Sequence, residues 1–127
     1  MENSLPFTNI REVWPAVRAG LENLKQKCPG VRWLPEDVYA ECVNGSASLC
    51  YENGRFIILK FYEDELTGAK VIWVWIAYGE GINGEQERLD AYAKTHGYNE
   101  LRLTSSRPGW ARTEGWEFME ATYRRKL

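Results

Sequence analysis

His96 is the only histidine in this 127-residue chain, and Cys28, Cys42 and Cys50 are its only cysteines. One histidine cannot build a multi-His metal site, and a His-bridged catalytic network is not expected from it. The cysteines are odd in number, lack CxxC spacing and have no histidine close by in sequence. That argues against zinc, a disulfide framework and a cysteine nucleophile, and fits a reducing compartment. Thr104, Ser105 and Ser106 lack the Gly-x-Ser-x-Gly context of an activated serine. There is also a glycine-rich stretch, Gly79-Glu80-Gly81-Ile82-Asn83-Gly84. Its glycines permit either close backbone approach to a ligand or simply a tight turn.

The elements around that stretch are legible from periodicity. Ile10, Val13, Trp14, Val17, Leu21, Leu24 and Cys28 fall at helical intervals. Pro15 requires that this helix either start near Trp14 or kink there. Cys28-Pro29-Gly30 ends it. Pro35 to Val43 reads as a second helix, with Pro at its first position, Glu36 and Asp37 at its positive end and Asn44-Gly45 as its stop. Ser46 to Glu52 alternates, Asn53-Gly54 signals a two-residue hairpin, and Arg55 to Glu63 returns. Lys70 to Tyr78, KVIWVWIAY, is apolar on both faces and belongs in the middle of a doubly covered sheet. A helix from about Gly84 to His96 follows, capped by Asn83 with Gln86 three residues on and stopped by Gly97. Leu101 and Leu103 mark another strand, Pro108 to Glu114 a helical turn, and Trp116 to Arg125 a last alternating strand.

The order α-α-β-β-β-α-β-α-β describes an α/β (α+β) domain with a mixed, mostly antiparallel sheet and helices on both faces. Residues 1–127 form a single domain: 1–45 is a helical pair, and 46–127 the sheet with its crossover helix. About two-thirds of the unfolded chain's surface is expected to be buried at this length. Sixteen basic and eighteen acidic residues give a net charge of −2, which speaks against the phosphate backbone of nucleic acid as a partner. The basic cluster Arg102, Arg107, Arg112, Arg124, Arg125 and Lys126 reads as a solvated face with interspersed glutamates. The first ten residues lack a basic region and an apolar core, so no secretory leader is expected. The apolar run Val71 to Tyr78 is too short to cross a bilayer.

From about Leu49 onward, this order and its local residues resemble the GNAT-type acyl-CoA N-acyltransferase superfamily. Val71–Tyr78 is similar to its central strand, Gly79–Gly84 to its pyrophosphate loop and EQERLDAYAKTHG to the following helix. Asn99–Thr104 is similar to its next strand, and GWARTEGWEFMEATYRRKL to its short helix, Gly-aromatic corner and final strand. More narrowly, VWPAV, PEDVYAECVNGSASLCY and AKTHGYNELRLTSSRPGWAR with GWEF resemble small GNAT-like proteins encoded by tailed bacteriophages. The R-x-G-W-x-R motif of those proteins is Arg107, Gly109, Trp110 and Arg112 here.

The resemblance implies a cofactor site on Tyr78, Gly81, Asn83 and Gly84, with Glu80 as the one carboxylate near a general-base position. The superfamily's loop opens with Arg or Gln, absent here, while Glu80, Glu85 and Glu87 surround the proposed anion site. Those carboxylates either oppose a pyrophosphate or complement a helix dipole at a plain turn. The superfamily's usual general-acid tyrosine falls at Ala111, which cannot protonate a thiolate. No catalytic residue, cofactor or metal is therefore expected. The resemblance implies a GNAT-like protein working by protein–protein contact in a virion, as a head–tail or assembly component. Its partners would be other phage structural proteins or copies of itself. Trp33, Arg107, Trp110 and Arg112 are the contact candidates; Trp14, Trp73, Trp75 and Trp116 are explained by packing. The alternatives are an acetyl-CoA-dependent N-acetyltransferase and a small phage regulator of a host protein. Neither membrane nor secretion is expected, and the location is the virion or the host cytoplasm.

Overall fold

The computed structural model describes residues 5–79, 81–105, 110, 112, 113 and 115–127, with backbone alone for 81–85. Helix α1 (Ile10–Lys27) begins where the Asn9 side-chain oxygen accepts a hydrogen bond from the Arg11 amide at 3.0 Å. Pro15 lacks an amide donor, and two helical stretches join across a kink at Val13 (φ −127°, ψ 16°). Thus the helix starts ahead of the proline and bends there. In α2 (Pro35–Asn44) the Asp37 carboxylate reaches back to accept from the Leu34 amide at 2.9 Å. Gly45, at φ +89°, closes that helix.

Strands β1 (Ser48–Glu52) and β2 (Arg55–Glu63) pair antiparallel across the Asn53-Gly54 turn, where both residues have positive φ. Strand β3 (Lys70–Tyr78) pairs antiparallel with β2. Helix α3 (Gly81–Thr95) then crosses over, and β4 (Glu100–Leu103) pairs parallel with β3. The sheet order is β1-β2-β3-β4. Leu49, Phe56, Ile58 and Ile76 bury against α1 and α2 through Val17, Leu21 and Val38. Cys50, Ile57, Leu59, Ile72 and Val74 bury with Leu89 and Ala93 of α3. Each such aliphatic or aromatic side chain contributes about 1.5–3 kcal/mol on burial.

Two expectations differ from the structure. Residues 116–127 form no strand; their alternation makes them able to pair, but no described strand pairs with them. Helix α3 starts at Gly81 rather than near Gly84. The turn is made earlier, at Gly79 (φ +82°), so Asn83 lies inside the first helical turn and is not its cap. At residues 110–116 the Thr113 amide bonds the Trp110 carbonyl and the Trp116 amide bonds the Thr113 carbonyl, each at 3.0 Å. The expected helical turn at 108–114 otherwise involves positions outside the described residues. No described helix is long and apolar enough to cross a membrane.

Candidate functional site

Strands β3 and β4 are joined at one end and parted at the other. Asn99 secures the joined end: its side chain accepts from the Lys70 amide and its own amide donates to the Lys70 carbonyl, both at 2.8 Å. Pairing then runs from Val71–Glu100 to Val74–Leu103 and stops. Strand β3 continues through Trp75, Ile76, Ala77 and Tyr78 with no described strand on that side. A bulge sits where the parting begins. Ile58 faces Ile76 while Leu59 faces Val74, so Trp75 is the extra residue. The bulge puts the consecutive residues Trp75 and Ile76 on the same side, against the α1/α2 core.

The open stretch of β3 leads directly into Gly79 and then α3. A Cβ at Gly79 would meet the Arg55 Cβ at 2.9 Å, so the turn is pressed against the start of β2. Beyond it, the first amides of α3 (Gly81, Ile82, Asn83) have no carbonyl four residues back within the helix, which makes that end attractive to anions. Two arginines lie close to this turn. Arg88 of α3 donates to Glu52 at 3.0 Å, and Arg55 approaches the same carboxylate at 3.6 Å. The Arg55 Nε is buried without a hydrogen-bond partner among the described residues. Glu52 and Arg55 come from the β1–β2 hairpin and Arg88 from the second turn of α3, none of them from the loop. No short motif announces them, because 36 residues separate Glu52 from Arg88.

The residues singled out in the sequence are scattered about this parting. Tyr78 ends β3, and its ring stacks on Phe56 at 5.2 Å beneath α1. There a Cβ on Gly20 would meet the Phe56 ring at 2.7 Å and the Tyr78 ring at 3.0 Å. Gly81, Asn83 and Gly84 fall in the first turn of α3, whereas Glu80, Arg107, Gly109 and Ala111 lie outside the described residues. Trp110 meets Trp116 edge-on at 5.5 Å, and the Trp116 indole N–H donates to Gln86 on α3 at 3.2 Å. Arg112 is exposed beside them. Trp33 lies apart, half-buried on the α1/α2 core, with Lys25 bonded to its carbonyl at 3.0 Å and held over its ring at 5.6 Å.

Trp73 donates to Thr104 at 3.2 Å, and Lys60 sits 4.2 Å from the Trp75 ring while pairing with Glu41 at 2.7 Å. His96 stacks on Tyr92 at 4.1 Å, at the far end of α3. Burial, reinforced by Glu41, pushes the Cys42 thiol up to about 11, so it stays protonated and inert. Among the described residues no group of three or more His, Cys, Asp or Glu could hold a metal ion.

No family model matches the sequence, and no curated protein matches it. Solved structures do match it over nearly the whole chain. A ribosomal-protein-alanine N-acetyltransferase from Brucella melitensis superposes with a TM-score of 0.67 at 17% identity, covering 98% of each chain. A protein from Bacillus halodurans gives a TM-score of 0.72 at 10% identity, over 98% of this chain and 99% of its own. A predicted acetyltransferase from Clostridium acetobutylicum, solved with acetyl-CoA, gives 0.62 at 14% identity over 98% and 96%. The chain has the GNAT-type N-acyltransferase fold. Within that fold, the pairing of β3 with β4 stops at Val74–Leu103 and leaves the rest of β3 without a described strand on that side.

Proposed function

We propose that this GNAT-fold chain acts through protein–protein contact, with its C-terminal tail as the contact element. One observation carries the proposal: residues 117–127 are all exposed, and they hold Phe118, Met119, Tyr123 and Leu127 in an alternating, strand-competent sequence. Apolar side chains presented this way are characteristic of a surface that another chain covers. The open end of β3 adds support. Of its side chains past Val74, only Tyr78 is ionisable, and its ring is packed on Phe56. Several carboxylates around the sheet are engaged in ion pairs: Glu52 with Arg88 and Arg55, Glu41 with Lys60, and Asp64 and Glu100 with Arg102. The narrower sequence resemblance supports a virion or head–tail assembly as the setting, with a host-protein target as the other setting. Titration calorimetry with acetyl-CoA tests the proposal; no binding heat is expected, and micromolar affinity overturns it.

Acyl-CoA-dependent N-acyltransfer is the second reading, favoured by the parting of β3 and β4. The unpaired β3 edge can bond the amides of an extended thioester arm. The α3 amides of Gly81 and Ile82, with Arg55 and Arg88, form a donor set suited to phosphates. The bound thioester would supply an activated acyl group, and an amine would displace the thiolate from it. This reading expects thiol release from acetyl-CoA in the presence of a primary amine. Gly79→Val would abolish that release, because a side chain there collides with Arg55 and φ is +82°. No thermal shift with any acyl-CoA would count against it.

A further inference from the structure

One face of the sheet holds an ammonium group that the chain itself supplies. Lys60 of β2 lies opposite Trp73 of β3 in the antiparallel register, and Trp75 follows two residues on. The two indoles are tilted by 35° with centroids 6.3 Å apart. The Lys60 Nζ sits 4.2 Å from the Trp75 ring centre and 5.8 Å from that of Trp73. It also lies 2.7 Å from the Glu41 Oε1 of α2, the one ion pair of Glu41 among the described residues. This cluster opens to solvent, with 24% of the Lys60 side chain and 35% of that of Glu41 exposed. Arg102, another cation on this face, is held differently: Asp64 and Glu100 both pair with it. Two indoles and a single carboxylate converging on a compact cation are the chemistry of ammonium recognition. Here that cation is carried on a flexible stem of the same molecule.

We propose that Trp73, Trp75 and Glu41 form a site for the side-chain ammonium of a lysine on a contacting protein, plugged in the free chain by Lys60. This rests on the contact reading and adds to it a second contact element, apart from the tail. Charge complementarity identifies the occupant. With Lys60 withdrawn, a lone carboxylate faces the electron-rich faces of two indoles, so the site selects cations and repels carboxylates and phosphates. The 2.7 Å approach of nitrogen to oxygen admits an N–H-bearing ammonium; methyl groups on the nitrogen would hold Glu41 away. One carboxylate oxygen makes that approach, which suits a compact ammonium better than the planar fork of arginine. Lys60 can leave at small cost, because a partly exposed ion pair on a four-carbon stem contributes little to stability. A plug in place about nine-tenths of the time lowers the apparent affinity about tenfold. The site therefore ignores dilute amines and answers to a lysine that a docked surface presents alongside its other contacts.

Indole N–H resonances of the isotope-labelled full chain test this, assigned with Trp73→Phe and Trp75→Phe. Lysine blocked at its α-amine and carboxyl is titrated into the unsubstituted chain and into Lys60→Ala, with blocked norleucine at equal ionic strength as the control. In Lys60→Ala the Trp73 and Trp75 signals should shift saturably, with half-saturation at least about tenfold below that of the unsubstituted chain. The Trp14 and Trp33 signals should stay in place, which also reports an intact fold. Lys60→Thr, a residue suited to a strand, replaces Lys60→Ala if those signals are lost. Adding Glu41→Gln to Lys60→Ala should abolish the shift. No saturable shift in either Lys60 variant overturns the proposal, as does an equal shift in the unsubstituted chain. Saturation by methylammonium but not by blocked lysine overturns the protein side chain as the occupant. A Lys60→Ala chain that is blind to lysine, in a protein that ignores acetyl-CoA, overturns the site and leaves the contact reading standing. A chain that answers to lysine and also binds acetyl-CoA tightly does the reverse.

Discussion

The two edges of this sheet are treated in opposite ways. On the β1 edge, residues Leu5–Thr8 lie alongside the strand. The Tyr51 amide donates to the Pro6 carbonyl at 3.1 Å, the Thr8 amide to the Leu49 carbonyl at 2.9 Å, and Phe7 bridges Cys50. Leu5 is only 7% exposed and belongs to the α3-side core, while Phe7 meets Tyr92 edge-on at 5.6 Å. On the β4 edge, four residues stand with no partner on their outer side among the described residues, and the exposed tail leaves Tyr123 91% exposed. The difference lies in where the apolar side chains can go. Leu5 reaches a core cavity of its own chain, which anchors the backbone bonds beside it. The tail's apolar residues reach none, so its competence to pair stays unspent within one chain.

Truncation at the two sites separates these cases most strongly. Leu5→Ala should cost about 2–4 kcal/mol in urea unfolding, from lost transfer energy plus the cavity left behind. Tyr123→Ala, measured at concentrations that keep the chain monomeric, should fall within about 0.5 kcal/mol of the unsubstituted protein. A comparable loss at both positions would mean that the tail packs on its own chain, and the contrast between the edges would collapse.

A smaller effect is expected at the root of the tail. Trp116→Phe keeps an aromatic ring against Trp110 but removes the indole N–H donated to Gln86, a bond with a net worth of about 0.5–1.5 kcal/mol. Gln86→Ala should cost a similar amount. The double variant should cost little more than either single one, because both remove the same bond. Additive losses would break the idea that the tail is tied down there by this contact.

Much of the frame was legible in the sequence because it is written in local signals. The helical stripe from Ile10 to Leu24, the Asn53-Gly54 turn and the two-sided apolar run Val71–Tyr78 each specify their own element. The last strand was misread for a physical reason. Alternation at Trp116–Arg125 reports that a segment can pair, whereas pairing needs an edge at the right place, which no local window contains. The start of α3 was misplaced because two stop-and-start signals compete there. Gly79 at positive φ completes the turn before the Asn83 cap pattern can act. The candidate site was legible only as a backbone feature, a glycine turn before a helix. Its cations, Arg55 and Arg88, come together through Glu52 only after the hairpin folds.

The subtlest contrast between the edges is in what titrates. The β1 edge is held by neutral backbone bonds. Strand β4 is tied to the β2–β3 turn by Arg102, which pairs with Glu100 and with Asp64, each at 2.9 Å, and lies over the Tyr62 ring. Those carboxylates hold the Arg102 guanidinium firmly in its charged form. The Arg102 hydrogen bond, followed by the Leu66 and Thr67 amides, holds the Asp64 carboxyl below its ordinary 3.8. A carboxyl with a lowered folded-state pKa binds protons more weakly in the folded than in the unfolded chain. Its contribution is therefore complete above 3.8 and fades as pH falls through that value toward the lower folded one. Because the cluster ties only β4 to the β2–β3 turn, the effect should be local fraying rather than global unfolding. Amide exchange at Leu101 and Leu103, corrected for intrinsic rate, should rise several-fold between about pH 5 and pH 3. Exchange at Thr8 and Tyr51 should stay flat over the same interval. Asp64→Asn should weaken β4 protection at pH 5 and flatten its acid dependence. An equal acid response at both edges would place the titration in the global stability of the sheet, and not in the Arg102 cluster that pins its open edge.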